Sequence, residues 1–438
     1  MTKRLSQPRE VSDRVRGVRS ARGQRTIDEI TRSADKLFAS QGYFSTTVED
    51  IAKEAGRSSA AVYQYFDNKA AILELLSERL VDFAGPRALE RIPLPENEYD
   101  HAAFVRAAAG FWQTYLTFKG VMVALFQLST VDERFAGIEK KVRAVGHQVF
   151  GIFLARAREH GFANDVDQKL TPVLIDVMNE HYRFISSGHL ISPDRQPESF
   201  DEVSVLAAIW YRAFYAVPRE PIVHVPLKRS RKARKPARSE GKELWAAAGR
   251  HVFEQKSFLT AGVRDIAEEA GMSLGAFYNY FDTKEDLLLH LAEEFNDTIL
   301  QGLRFPDEPG SMRISRLVTT LWRTYTENRA VVHGIFQLSM LDSEFAADWR
   351  RTRRPVVKLI EDHVIQAEAD RGGNDLDAAG VAEALWSMLE HCAYLWGTRR
   401  SDLMVGAVSE AELCRAMSDL WYRVLHGVLP PDGLLSVL

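Results

Sequence analysis

Cysteine is almost missing: Cys392 and Cys414 are the only two in 438 residues, and each sits in a helix-like stretch. Two such residues make neither a disulfide framework nor a metal cluster, and a reducing, cytoplasmic setting is the simplest expectation. Long apolar runs are missing as well. Runs such as Val121 to Phe126 are far short of the ~20 residues a spanning helix needs. No amino-terminal segment resembles a signal peptide, so no membrane partner is expected. There is no glycine-rich phosphate loop and no zinc-ligand spacing. His181 with His189, or His391 alone, are poor ligand sets, better read as helix-packing histidines. No convincing run of strands occurs either, and the expected fold is all-α. No catalytic residue, cofactor or metal is expected.

What is present begins with charge. A formal net charge of −4 hides an asymmetry. Met1 to Arg25 holds eight Lys or Arg against Glu10 and Asp13, and Arg219 to Lys242 holds nine against Glu220 and Glu240. The remainder is therefore acidic. Basic tethers on acidic folded bodies point to an anionic partner met at the tethers, or simply to solvated tails.

The chain also repeats itself. DIAKEAG from Asp50 returns as DIAEEAG from Asp265. WQTY at Trp112 returns as WRTY at Trp322, and FQLS at Phe126 returns at Phe336. Glu180-His181 matches Glu390-His391, and Trp210-Tyr211-Arg212 matches Trp421-Tyr422-Arg423. A period near 210 residues is too long for a solenoid and reads as one domain pair duplicated in tandem. Val217 to Gly241, rich in proline and basic residues without apolar period, reads as the linker between the copies; fully extended, it would span roughly 80 Å.

Within each copy the apolar spacing is helical. Ile27, Ile30, Ala34, Leu37 and Phe38 predict a first helix that Gly42 stops. Thr46 and Glu49 have capping-box spacing for the next. Gly56 ends that one, Ser58 caps a short helix through Val62, and Asn68 caps a longer one. In the second copy, Gly271 to Gly275 fits the G-x-S-x-G nucleophile elbow of α/β-hydrolases. That elbow needs a strand before its serine, and Asp265 to Ala270 has a helix pattern, so Ser273 is better read as a helix cap.

Short helix, glycine turn, short helix is the layout of a helix-turn-helix. The first copy reads TVEDIAKEAGRSSAAVYQYFDNKA from Thr47, the second GVRDIAEEAGMSLGAFYNYFDTKE from Gly262. Both resemble the DNA-binding domain of the TetR family of bacterial repressors, and the whole chain resembles a tandem TetR-like protein. The resemblance implies two repeats, each a helix-turn-helix domain followed by a helical ligand-binding and dimerisation domain. The boundaries expected are a basic tail 1–25, helix-turn-helix domains 26–83 and 243–298, regulatory domains 84–216 and 299–438, and a basic linker 217–242.

The resemblance also implies the DNA-facing residues. Tyr63, Tyr278 and Thr47 stand where the family contacts phosphates, and Lys69 and Lys284 add a cation where the next helix opens. Ser58 and Ser273 cap the recognition helices. Base edges would fall to Arg57, Ser59, Ala60 and Gln64 in one copy and to Leu274, Gly275 and Asn279 in the other. The second copy has Ala261 and Gly262 in place of Thr46 and Thr47, losing a cap and a phosphate contact.

By the same resemblance, a small-molecule effector would bind among aromatic helices. The candidates are Trp112, Tyr115, Phe126, His181, Trp322, Tyr325, Phe336 and His391, all of which also read as core. Leu170–Gly188 with Phe200–Ala216, and Asp377–Gly397 with Glu410–Gly427, would form a bundle that pairs the copies within one chain; further pairing of whole chains stays open. The function implied is a ligand-responsive repressor on an asymmetric, double-stranded DNA operator. Two alternatives stand beside it: a regulator in which only the first helix-turn-helix binds DNA and the second repeat is a dimerisation scaffold, and a nonspecific DNA-binding protein.

Overall fold

A computed structural model describes residues 21–84, 92–129, 132–186, 201–227, 241–302, 310–339, 341–373, 375–397 and 408–429. The basic run up to Ser20, His189 and most of the basic linker lie outside them. Eighteen helices occur among the described residues, nine in each half. Those of the first half are α1 Ala21–Ser45, α2 Val48–Glu54, α3 Ser59–Tyr63, α4 Lys69–Ala84, α5 His101–Thr117, α6 Lys119–Leu128, α7 Glu133–Glu159, α8 Leu170–Ser186 and α9 Glu202–Tyr215. The second half repeats the order: α10 Lys242–Gln255, α11 Val263–Ala270, α12 Leu274–Phe277, α13 Lys284–Gly302, α14 Gly310–Glu327, α15 Arg329–Ser339, α16 Ser343–Arg371, α17 Ala378–Gly397 and α18 Glu410–His426. The fold is all-α, as expected. Its one extended pairing among the described residues is an isolated bridge, Val217 to Val428.

The chain divides into two compact units, Met1–Ile92 with Gln113–Val145, and Pro93–Trp112 with Gly146–Leu438. This differs from a boundary drawn at residue 83, because α6 joins the first helix-turn-helix. Ile30, Phe38, Ile51, Val62 and Phe66 share one buried core with Val121, Leu125 and Leu128 of α6. Two contacts fix α6 on α1. A side chain at Gly120 would place its Cβ 1.9 Å from the Asp35 carbonyl oxygen, so only glycine permits the approach. The Val121 N–H donates to Asp35 Oδ1 at 2.9 Å.

Gly42 interrupts α1 with a φ of 78° but does not end it. The helix resumes to Ser45, and the buried Gln127 accepts the Tyr43 N–H at 2.7 Å. The amino-terminal boundary also shifts: α1 begins at Ala21, inside the stretch expected as tail.

In the second unit, α8 and α9 of the first half pack with α17 and α18 of the second as a four-helix bundle. Fifteen of the twenty residues of α17 are buried, the polar Ser387, Glu390 and His391 among them. The contacts are reciprocal. Arg212 on α9 donates to the carbonyls of Val424 (2.6 Å) and Gly427 (2.7 Å), where α18 ends. Arg423 on α18 donates to the carbonyl of Ala216, where α9 ends, and pairs with Asp165. His181 lies 3.4 Å from Glu390, and His391 lies 3.2 Å from Glu180, the two rings stacked at 5.3 Å. An isologous interface makes contacts of this kind.

The linker is shorter than expected. Val217 exchanges both backbone hydrogen bonds with Val428 (2.9 and 2.8 Å). His224 sits 3.3 Å from Asp419, and the Val225 N–H donates to Ser315 Oγ at 2.8 Å. The chain is thus anchored as far as Val225, well inside the stretch expected as linker.

Burial against α6 pushes the Asp35 carboxyl up to about 6, the hydrogen bond from Val121 opposing it. An unfolded aspartate titrates near 3.9, so between about pH 4 and 6 the folded state holds more protons. Stability of the first unit therefore falls as pH rises through that window and is level above it. Asp35→Asn should stabilise the α1–α6 contact at pH 7 by about 2 kcal/mol and flatten this slope. Hydrogen-exchange protection of α1 amides at pH 5 and pH 7 measures both; a less protected variant that keeps the slope would contradict the assignment.

Candidate nucleic-acid interface

Each helix-turn-helix is set by its caps. In the first unit, Thr47 caps α2: its hydroxyl accepts the Asp50 N–H (3.1 Å), and the Asp50 carboxylate accepts the Thr47 N–H (2.9 Å) and hydroxyl (2.6 Å). The capping box is therefore Thr47 with Asp50, one residue beyond the expected Thr46 and Glu49. Thr46 is fully buried and turns its hydroxyl back to the Gly42 carbonyl (2.7 Å), which the break in α1 leaves open. Gly56 makes the turn with a φ of 63°. Ser58 caps α3 as expected, its hydroxyl accepting the Ala61 N–H at 3.2 Å. One face of α3 buries Val62, with Phe66 sealing the core beyond it. The opposite face exposes Ala60, Gln64 and the Tyr63 ring, 47% accessible, with Ser59 half-buried beside them.

Arg57 departs from expectation. It donates from Nε (3.2 Å) and Nη2 to Glu29 on α1 rather than projecting freely. Both partners are well exposed, and such a pair is worth little, so a nucleic acid can compete for the guanidinium.

Lys69 departs further. Its ammonium donates to the carbonyls of Tyr43 (2.7 Å), Phe44 (3.3 Å) and Thr46 (2.7 Å), and lies 4.3 Å from the Tyr43 ring centroid. Three donors meet three carbonyls, and partial burial lowers its pKa. Lys284 does the same in the second unit with Phe258 (3.0 Å) and Ala261 (3.1 Å). The two lysines tie down the end of α1 with the turn after it, and the turn that follows α10, instead of presenting a charge.

In the second unit, Gly262 caps α11 with half of a capping box, its N–H donated to Asp265 (2.9 Å) while Lys256 holds the other carboxylate oxygen (2.6 Å). The cap is thus weakened rather than lost. Gly271 turns with a φ of 67°, and Ser273 caps α12 by accepting the Ala276 N–H at 3.3 Å. A helix, not a strand, precedes that serine, which removes the hydrolase elbow. The exposed face carries Met272, Leu274 (39%), Gly275, Tyr278 (51%) and Asn279. Where the first face offers Arg57 and Ser59, the second offers methionine and leucine.

The effector candidates are divided between the two units. Tyr115 and Phe126 are buried in the first unit, while the other six fall in the second. Trp322 and Tyr325 are closed into the core, the Tyr325 hydroxyl donating to Glu390 at 2.9 Å. Glu390 also meets Arg353 (3.4 Å), which pairs in turn with Glu383. Burial would raise Glu390, but Arg353 and His181 outweigh it and hold the carboxyl below its ordinary range. His181 and Phe336 line a cavity of about 10 Å³, room for roughly one water molecule. Among the described residues no helix is long and apolar enough to cross a membrane, and no group of three or more His, Cys, Asp or Glu is placed to hold a metal ion.

The model of the family described as bacterial regulatory proteins, tetR family, matches residues 30–76 and 246–291. The chain is 37% identical over 83 residues to the HTH-type transcriptional regulator HbdR of Aromatoleum sp. (strain CIB), 18% of this chain and 36% of that protein, so it spans about a third of that relative's length. It is 23% identical to the HTH-type transcriptional regulator EthR of Mycolicibacterium smegmatis, over 46% of this chain and 94% of EthR. A solved structure of the fatty acid degradation regulator FadR from Bacillus halodurans aligns at 18% identity and a TM-score of 0.35, covering 43% of this chain and 96% of that one.

If Lys69 serves as a clamp, Lys69→Met should destabilise the first unit by roughly 1.5–3 kcal/mol and leave the salt dependence of DNA binding unchanged. A phosphate contact would instead lower the slope of log K against log salt by about 0.9. Affinity titrations over a salt series, beside urea unfolding, separate the two.

Proposed function

We propose that this chain, a tandem member of the TetR family of DNA-binding transcriptional regulators with one DNA-binding domain in each half, is a ligand-responsive repressor that works as a single-chain pseudo-dimer on an asymmetric operator. The reciprocal Arg212 and Arg423 contacts across the bundle carry the reading. They pair the two halves of one polypeptide as identical chains would pair in a dimer. Tyr63 and Tyr278 contact phosphates in this reading, and the unlike faces read unlike half-sites. Ser273 has no catalytic part in it and serves as a helix cap.

The chemistry of the two faces gives the half-sites their character. Gln64 suits adenine, and Arg57, freed from Glu29, suits guanine. Leu274 and Met272 suit the thymine methyl group and Asn279 suits adenine, so the second half-site is rich in A·T pairs. An effector weakens binding through a coupling between sites, of the usual 1–3 kcal/mol.

A DNase footprint on DNA flanking the gene should show two unlike protected half-sites. Replacing thymine by uracil, which removes only the C5 methyl, should weaken binding several-fold in the A·T-rich half-site and have little effect in the other. Tyr63→Ala and Tyr278→Ala should each lower affinity. An unchanged affinity for Tyr278→Ala would instead make the second half a scaffold, and binding without discrete protection would leave only nonspecific association.

A further inference from the structure

The second unit carries a cleft that the regulator reading leaves unused. It is about 330 Å³ in volume, at the small end of pockets that hold organic ligands. One wall is a single face of α14, where Met312, Arg316, Thr319, Thr320 and Arg323 recur at helical spacing. The other wall is the strap that follows the bundle, Val223 to Pro226. The strap is fixed beside the cleft by His224 on Asp419 and by the Val225 N–H on Ser315.

Its chemistry is one-sided. Arg316 and Arg323 line it and, among the described residues, no carboxylate does, so a cation is disfavoured. Arg323 forms no ion pair among the described residues. Its guanidinium offers the planar fork that meets a carboxylate with two parallel hydrogen bonds. Val223 and Pro226 supply an apolar surface on the opposite wall, and Met312 adds to it from α14. The cavity beside His181 and Phe336, by contrast, is too small for a ligand.

We propose that this cleft binds a small organic carboxylate, its head on Arg323 and its apolar body between α14 and the strap. The ligand then joins the strap to the regulatory helices. Its effect on DNA binding rests on the regulator reading; the binding itself does not.

Isothermal titration of the DNA-free full chain with 2-naphthoate and with neutral, near-isosteric 2-naphthamide tests it. One naphthoate should bind per chain, with the amide at least ~10-fold weaker, as expected where a charge-assisted hydrogen bond is lost. Arg323→Met, which keeps the aliphatic stem, should bring naphthoate down to the level of the amide while the melting temperature stays unchanged. Equal affinities for the two probes in the native chain would overturn the proposal without any variant. So would naphthoate binding that survives Arg323→Met, or no saturable binding up to ~1 mM. Failure here alongside an intact operator footprint removes the cleft and leaves the regulator; a missing footprint alongside naphthoate binding does the reverse.

Discussion

A helix ends on carbonyls that have no partner within the helix, and in the second unit each half relies on the other to satisfy them. Arg212 reaches the end of α18 and Arg423 reaches the end of α9, both guanidiniums buried. A cation at a helix carboxyl end also meets the negative end of the helix dipole. Separating α9 from α18 would strand two buried charges and several carbonyls at once, the costly way to break a polar contact. The Glu180–His391 and His181–Glu390 pairs repeat this logic nearer the middle of the bundle. These polar contacts fix the register, while the apolar faces of α8 and α17 supply the burial.

Around that shared bundle the halves have diverged. The first helix-turn-helix is bound into one core with α6, through a glycine that allows backbone contact and an aspartate held at a helix start. The second belongs to the same compact unit as the bundle. Their exposed faces differ as much as their surroundings, one polar and carrying an arginine, the other carrying methionine and leucine. The lysine clamp is kept in both, at Lys69 and Lys284, which marks it as a requirement of the fold rather than of a particular DNA sequence.

Much of this was legible in the sequence because it depends on local chemistry. The caps at Ser58 and Ser273, the turns at Gly56 and Gly271 and the helical apolar period each follow from a few adjacent residues. What escaped depends on partners distant in sequence. Thr46 and Thr47 are equally good caps until Gly42 claims the first of them. Lys69 looks like a free cation until the end of α1 folds against it, and Arg57 looks free until Glu29 is placed beside it. The aromatic stripes gave no means of telling lining from core, and the structure closes most of them into core. The strap was read as linker because its prolines and basic residues lack an apolar period; its anchors on Asp419 and Ser315 come from another part of the chain.

The Val217–Val428 bridge and the two arginines beside it join segments some 210 residues apart in a single polypeptide. Pairing of this kind is unimolecular. A protein assembled from separate chains loses its paired form on dilution, so well below its dissociation constant the paired species varies with the square of chain concentration. Here the linker keeps the partner at a high effective concentration whatever the cell contains. In the single-chain pseudo-dimer proposed above, site occupancy then follows the first power of chain number. Mixed pairs with related chains are disfavoured for the same reason, which leaves each half free to change its surface without disturbing the partners of any other protein.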